Sequence, residues 1–229
     1  MEYLIIIIFL IIILIILKRL FGYNKKEIEK IAENKELDEI ANKYPNNLEM
    51  CKEYLKMLKN EKVIVEEDKK STSSLYIAIS NKIVIADVKD SFTRIQTIAH
   101  ECLHSIQNRN ILLFNFVYSN IYIIYFIVIS LLAILKILPY KMMFLSILII
   151  GGLVYYFVRS YLENDAMIKA RFLAKEYMEK KNISRQQEID DIIDSFDKLN
   201  NIGIRSVDYV LLLNLIIEFI IFCIICMIR

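Results

Sequence analysis

The chain has 229 residues, of which 56% are hydrophobic, against the roughly 45–50% usual for soluble domains. Its 29 Lys and Arg nearly balance 27 Asp and Glu, for a net charge of +2, and no basic stretch is interleaved with aromatics, so nucleic acid is not an expected partner. The four cysteines form no disulfide framework.

The apolar residues are gathered into four runs: 3–17, 111–135, 142–158, and 209–228 interrupted only by Glu218. A crossing helix needs about 20 apolar residues, within a range of about 17–25. The expected fold class is therefore mainly α, a multi-pass membrane protein with the lipid bilayer as a partner. The first run is short, but Leu20 and Phe21 extend it while Lys18 and Arg19 snorkel. It lacks a basic n-region and a small-residue cleavage site, so residues 1–21 read as an uncleaved transmembrane anchor. Most Lys and Arg fall in two polar segments, 18–110 and 159–207, separated by two spans and hence on one side. The positive-inside rule makes that side cytoplasmic, so Cys51 and Cys102 are expected as reduced thiols.

After the anchor, residues 25–43 carry Ile28, Ile31, Ala32, Leu37, Ile40 and Ala41 as an imperfect amphipathic helix that ends before Pro45. Residues 47–60 form a second, with Leu48, Cys51, Leu55 and Leu58 as its packing stripe. The period then changes. Residues 62–66 and 74–79 are β-like, and 82–86 answers the latter across a turn at Ser80-Asn81, giving a small hairpin. Such an edge can take an extended peptide by strand addition, or simply cover the next helix.

That helix, 92–107, has Ile95, Ile98, Ala99, Cys102, Leu103 and Ile106 at helical spacing, with Asp90 and Ser91 as N-cap residues. It carries His100-Glu101-Cys102-Leu103-His104, and these are the only two histidines of the chain. At about 3.6 residues per turn, histidines four apart project from one face toward one point, which suits two ligands of tetrahedral zinc. Glu101 is rotated off the pair and is placed to act as general base on a water activated by the metal. The sequence has few breakers between His104 and Ile111, so the helix is expected to run on into the second span.

Zinc with one open position requires a third protein ligand. Glu163, five residues past Val158, is the expected one, brought near by the antiparallel span pair around Pro139. Asp165 is the alternative, either as ligand or as a group that orients a histidine. Tyr161 and Arg171 are oxyanion-stabilising candidates by proximity alone. Ser184 and Gln187 form a capping box opening a helix with Ile189, Ile192, Ile193, Phe196 and Leu199 as its stripe, and Gly203 marks a break before the last span. Glu218 is costly against lipid and should face the bundle, with Asn214 and Asn115 or Asn120 as partners. Cys223 and Cys226 read as packing residues. The resulting organisation is an anchor at 1–21, a catalytic region at 22–110, a transmembrane hairpin at 111–158, a helical region with the third ligand at 159–207, and a C-terminal transmembrane helix at 208–229.

The motif His100-Glu101-Cys102-Leu103-His104-Ser105-Ile106-Gln107, followed after two spans by Glu163-Asn164-Asp165-Ala166 and Ala170, resembles the neutral zinc metallopeptidases of the YugP type. In that family an anchor precedes an HExxH-A-I-Q helix, and an E-[FY]-[DN]-A segment follows a membrane hairpin. The resemblance implies a zincin-like catalytic domain, His100, His104 and Glu163 as zinc ligands, Glu101 as catalytic base, and a protein or peptide substrate. Cys102-Leu103 replaces the family's small Val-Gly pair, and Asn164 replaces an aromatic. The pattern of CAAX prenyl proteases, a competing enzyme reading, places an Asp directly after the Ala, where this chain has Met167. A third reading is a membrane scaffold in which a metal only ties two helices together; Glu101 is the residue that such a scaffold would not need.

Overall fold

The computed structural model describes residues 1–22, 25–68, 70–71, 73–86 and 91–228. Its architecture is mainly helical with one small sheet. By contacts the chain divides into two compact units. One comprises Met1–Tyr23, Phe114–Tyr161 and Arg205–Arg229, the other Asn24–Leu113 and Leu162–Ile204.

The first unit is built of apolar helix. It holds α1 (Glu2–Phe21), which ends where Gly22 takes a left-handed conformation, φ 57°, one that costs glycine nothing. To it belong parts of α6 (Arg109–Ile134), α7 (Lys141–Lys181) and α8 (Gln186–Met227). Among the described residues, these four helices are long and apolar enough to cross a membrane. Their shared interior contains Leu10, Tyr122, Ile129, Leu145, Leu148, Phe219 and Phe222, with Cys223 and Cys226 packed among them. Glu218 meets Tyr122 rather than the expected asparagines. Asn214 is exposed, and Asn120 donates to Phe116 O of its own helix at 2.7 Å. A short polar side chain such as asparagine on an apolar helix satisfies its own turn more readily than it reaches across.

The second unit carries the remaining elements. The expected single helix over 25–43 is two helices, α2 (Lys25–Ala32) and α3 (Lys35–Ala41). Asn34 divides them, since its side chain accepts from Leu37 N–H at 3.3 Å and caps α3. Helix α4 (Asn47–Met57) buries Met50, Cys51, Tyr54 and Leu55. The β region holds one strand more than a hairpin. Strands β1 (Ile64–Asp68), β2 (Leu75–Ile77) and β3 (Lys82–Ala86) form a sheet in the order β1-β3-β2. β3 is central, parallel to β1 with Ile64 opposite Lys82 and antiparallel to β2 with Leu75 opposite Val84. The period-2 alternation that turns Ile83 and Ile85 inward, at 0% and 1% exposure, anchors all three strands on the core.

Helix α5 (Thr93–His104) packs against this layer. Asp38 Oδ1 accepts Phe92 N–H at 2.7 Å, and Ser91 Oγ accepts Thr93 N–H at 3.3 Å; Asp90, the other expected cap, lies outside the described residues. Arg94 fixes the helix laterally. Buried at 5% exposure, it donates to Ala41 O at 2.7 Å, Pro45 O at 2.8 Å, Tyr44 O at 3.0 Å and Asn47 Oδ1 at 3.0 Å. Three of these acceptors are main-chain carbonyls at and beyond the C-terminal end of α3, where a cation is favoured.

Three sequence expectations are corrected along these helices. Helix α5 does not run on into the second span. It stops at His104, and after a turn Asn108 Oδ1 accepts Asn110 N–H at 2.9 Å to open α6. No break occurs at Gly203, because α8 runs through it; a Cβ there would lie 2.8 Å from Met167 Cε, the far end of a flexible side chain. Helices α7 and α8 run continuously through the expected domain borders at 158/159 and 207/208, and the two contact units divide within the same helices at 161/162 and 204/205. Finally, the capping box of α8 is closed by Glu188, whose Oε2 accepts Arg185 N–H at 2.9 Å, while Gln187 donates onward to Asp191 at 3.0 Å.

Candidate metal centre

The two histidines lie one turn apart on α5 and face each other edge to face, with ring centroids 4.5 Å apart at 90°. Their Nε2 atoms are 3.0 Å apart. Glu163, on α7, brings Oε2 to 3.3 Å from His100 Nε2 and 3.7 Å from His104 Nε2. The α7 helix can approach this closely because Ala166 and Ala170, one and two turns beyond Glu163, are fully buried in the core that also holds Ile95, Ala99 and Cys102. Larger side chains there would hold the helix off.

These three atoms fit a cation. Ligand atoms about 2.0–2.1 Å from a tetrahedrally bound ion stand roughly 3.3–3.4 Å from one another. The observed separations of 3.0, 3.3 and 3.7 Å bracket that spacing. Among the described residues, His100, His104 and Glu163 form the one group of this kind. Three protein ligands leave a fourth tetrahedral position open.

Glu101 stands beside the group at 8% exposure. Burial pushes its carboxyl above the ordinary range; the charges of His100 and His104 oppose this, Glu163 adds to it, and a backbone hydrogen bond with Tyr76 opposes it further. Tyr76 belongs to β2, an edge strand of the sheet, so the strand's main chain reaches the carboxylate next to the candidate ligands. For His104, burial acts to lower the imidazole, but the hydrogen bond and charge of Glu163, the Gln107 contact and the charge of Glu101 leave it above its ordinary value.

Asp165 lies outside the ligand group. Its Oδ1 is 2.5 Å from Lys169 Nζ one turn along α7, and its Oδ2 accepts from Gln107 Nε2 at 3.1 Å. Burial is outweighed by these partners, and its carboxyl is held below the usual range. Arg171 ion-pairs with Asp197 and lies 4.4 Å over the Phe172 ring, so its guanidinium is committed elsewhere, and Tyr161 is 59% exposed. Cys102 points away from the histidines into the core, where its sulfur lies 3.5 Å from Cys51 Sγ and both remain free thiols.

Two residues at the centre carried no assigned role in the sequence. Gln107 Oε1 lies 2.8 Å from His104 Nδ1, and the available signal was its i+3 spacing from His104. Tyr76 had none, since its approach to Glu101 depends on sheet register. Comparisons with models of known protein families, with curated proteins and with solved structures each find no match for this chain.

Proposed function

We propose that this chain is a membrane-embedded zinc metallopeptidase of the zincin-like kind, related to the YugP-type enzymes it resembles. The observation that carries the reading is the convergence of His100 Nε2, His104 Nε2 and Glu163 Oε2 beside a buried, unligated carboxylate, Glu101. Zinc bound by these three side chains would act as a Lewis acid on a carbonyl and bring the pKa of water to about 7. The chain's own part is protonic. Glu101, with its carboxyl raised by burial, takes the proton of the attacking water as the water oxygen bonds to the peptide carbon, and returns it to the amide nitrogen as the C–N bond breaks. A carboxylate whose pKa is raised toward neutrality is a stronger base for the water proton than an ordinary one, and its acid form is still strong enough to hand the proton to the more basic amine nitrogen.

The β2 edge supports a peptide as substrate. An extended chain added to an exposed edge gains main-chain hydrogen bonds, and at Tyr76 this edge adjoins Glu101. A scaffold with a structural metal is less well supported, because structural sites are closed by a fourth protein ligand and Cys102 faces Cys51 instead. The density of Lys and Arg in 18–110 and 159–207 supports a cytoplasmic position for both segments.

The test is zinc content and proteolysis of the detergent-purified protein. Wild type is expected to hold one zinc per chain, and Glu163→Ala to lose it. Glu101→Gln is expected to keep the metal while cleavage of a peptide library, read by mass spectrometry, falls by about 100-fold or more. Zinc absent from wild type would remove the metal reading. Cleavage undiminished in Glu101→Gln would remove the enzyme reading and leave the scaffold.

A further inference from the structure

His104 is met at Nδ1 by a residue outside the ligand group. Gln107 sits in the turn after α5, and its side-chain amide makes three contacts. Nε2 donates to Leu162 O at 2.8 Å and to Asp165 Oδ2 at 3.1 Å, and Oε1 lies 2.8 Å from His104 Nδ1. A main-chain carbonyl and a carboxylate can only accept, so the amide nitrogen has to face them. The opposite orientation would set Oε1 against two acceptors. With that orientation fixed, Oε1 faces the ring, and His104 Nδ1 must carry the proton it donates. In the neutral imidazole the second nitrogen, Nε2, is then a bare lone pair, and Nε2 is the atom that faces His100 and Glu163.

We infer that Gln107, oriented by Asp165 and Leu162 O, is a positioning residue that locks His104 into the Nδ1–H tautomer and so presents Nε2 to the metal. The inference rests on the metal centre proposed above, but the tautomer itself can be read without any metal. It also gives Asp165 its place. The carboxylate does not touch the histidine; it acts through the glutamine, while Lys169 holds its other oxygen. This linkage joins α7 to the turn after α5 at the depth of the ligands, so ring angle and proton position are set together.

The chain has only two histidines, so nitrogen NMR of histidine-labelled full-length protein in detergent resolves both rings, with a His100 variant giving the assignment. In metal-free wild type at a pH where His104 is neutral, the proton is expected on Nδ1. In Gln107→Met, which keeps chain length and removes both donor and acceptor, a mixture of tautomers is expected. Affinity for Zn2+, measured by chelator competition, should fall about 10- to 100-fold. An Nε2–H tautomer in wild type would overturn the inference even if the variant fails to fold. Retention of the Nδ1–H form and of affinity within about twofold in a folded Gln107→Met would overturn it as well. Wild type that binds no zinc yet shows the Nδ1–H lock would instead remove the metallopeptidase reading and leave the lock standing.

Discussion

The two compact units of this chain use opposite means of fixing their helices. In the unit of Asn24–Leu113 and Leu162–Ile204, polar groups point at main-chain acceptors: buried Arg94 at Ala41, Tyr44 and Pro45, buried Tyr54 at Ile95 O at 3.2 Å, and half-buried Gln107 at Leu162 O. In the unit of α1 and the apolar stretches, the outward surfaces are as apolar as the interior. Ile8 and Phe9 stand exposed beside buried Leu10. In a bilayer, which these helices are long and apolar enough to cross, burial of apolar area cannot choose a packing face, because lipid is as apolar as leucine. The choice falls to small residues and tyrosines. Gly151 and Gly152 admit the rings of Tyr118 and Tyr122, and Tyr118 donates to Gly151 O at 3.1 Å. One unit is specified by satisfied polarity and the other by close fit, so different substitutions should damage each.

The largest effect is expected at Arg94. Arg94→Met keeps the apolar stem but leaves the carbonyls of Ala41, Tyr44 and Pro45 without their buried donor. Each unsatisfied buried group costs about 1–3 kcal/mol, so a loss of about 3 kcal/mol or more is expected. It should be confined to its own unit: in detergent, thermal melting followed by far-ultraviolet circular dichroism should show an early partial loss of helix, with the apolar helices melting later. A single transition lowered as a whole would mean that the units unfold as one and that the contrast between them has no thermodynamic content.

A matched pair of glycines sharpens the contrast. At Gly152 an added Cβ would lie 2.9 Å from Tyr122 Oη, 3.0 Å from Phe219 Cζ and 3.2 Å from Leu215 Cδ2, whereas at Gly203 it would meet only Met167 Cε at 2.8 Å. Two packed rings cannot withdraw together, and overpacking of that kind costs about 1–3 kcal/mol. A methionine terminus can swing aside, and alanine is about 0.8–1.0 kcal/mol better than glycine within a helix. Gly152→Ala is therefore expected to lower the melting midpoint of the apolar unit, and Gly203→Ala to leave its own unit unchanged or slightly more stable. Equal losses at both positions would argue that close fit governs the two alike.

What could be read in the sequence follows the same division. The four apolar helices were legible because apolar runs need no partner to be recognised. The sequence likewise singled out Glu163, which lies 3.3 Å from His100 Nε2, from its position just past an apolar run. Helix ends were less legible, since they turn on single side chains. Asn34 and Asn108 each open a helix inside a stretch whose periodicity alone predicts continuity, and Gly203 lies within α8, a single glycine that a helix tolerates. The first β-like stretch was legible as a strand but its partner was not: β1 pairs with β3 in parallel across the whole of β2, and non-local pairing leaves no turn signature. Tyr76 and Gln107 at the metal centre depend on such tertiary register and were legible only as residues, not as roles.

The smallest expected effect concerns how satisfied polarity behaves at the surface. Glu188 accepts from Arg185 N–H, lies 3.0 Å from Lys43 Nζ and 3.3 Å from Arg185 Nη2. The backbone hydrogen bond, then Lys43, hold its carboxyl down to about 2 from an ordinary 4.5. A folded-state value below the unfolded one means that the unfolded chain binds the proton first. The contribution of Glu188 is thus fully present above about pH 4.5 and is lost as pH falls toward about 2. Glu188→Gln removes it, so the stability difference between wild type and variant should be constant at neutral pH and shrink through that acid window. Salt should weaken the Lys43 part, because surface pairs are screened, but not the capping bond to Arg185. A difference that persists unchanged at pH 2 would show that Glu188 acts through shape alone, and would move this corner of the unit from satisfied polarity to close fit.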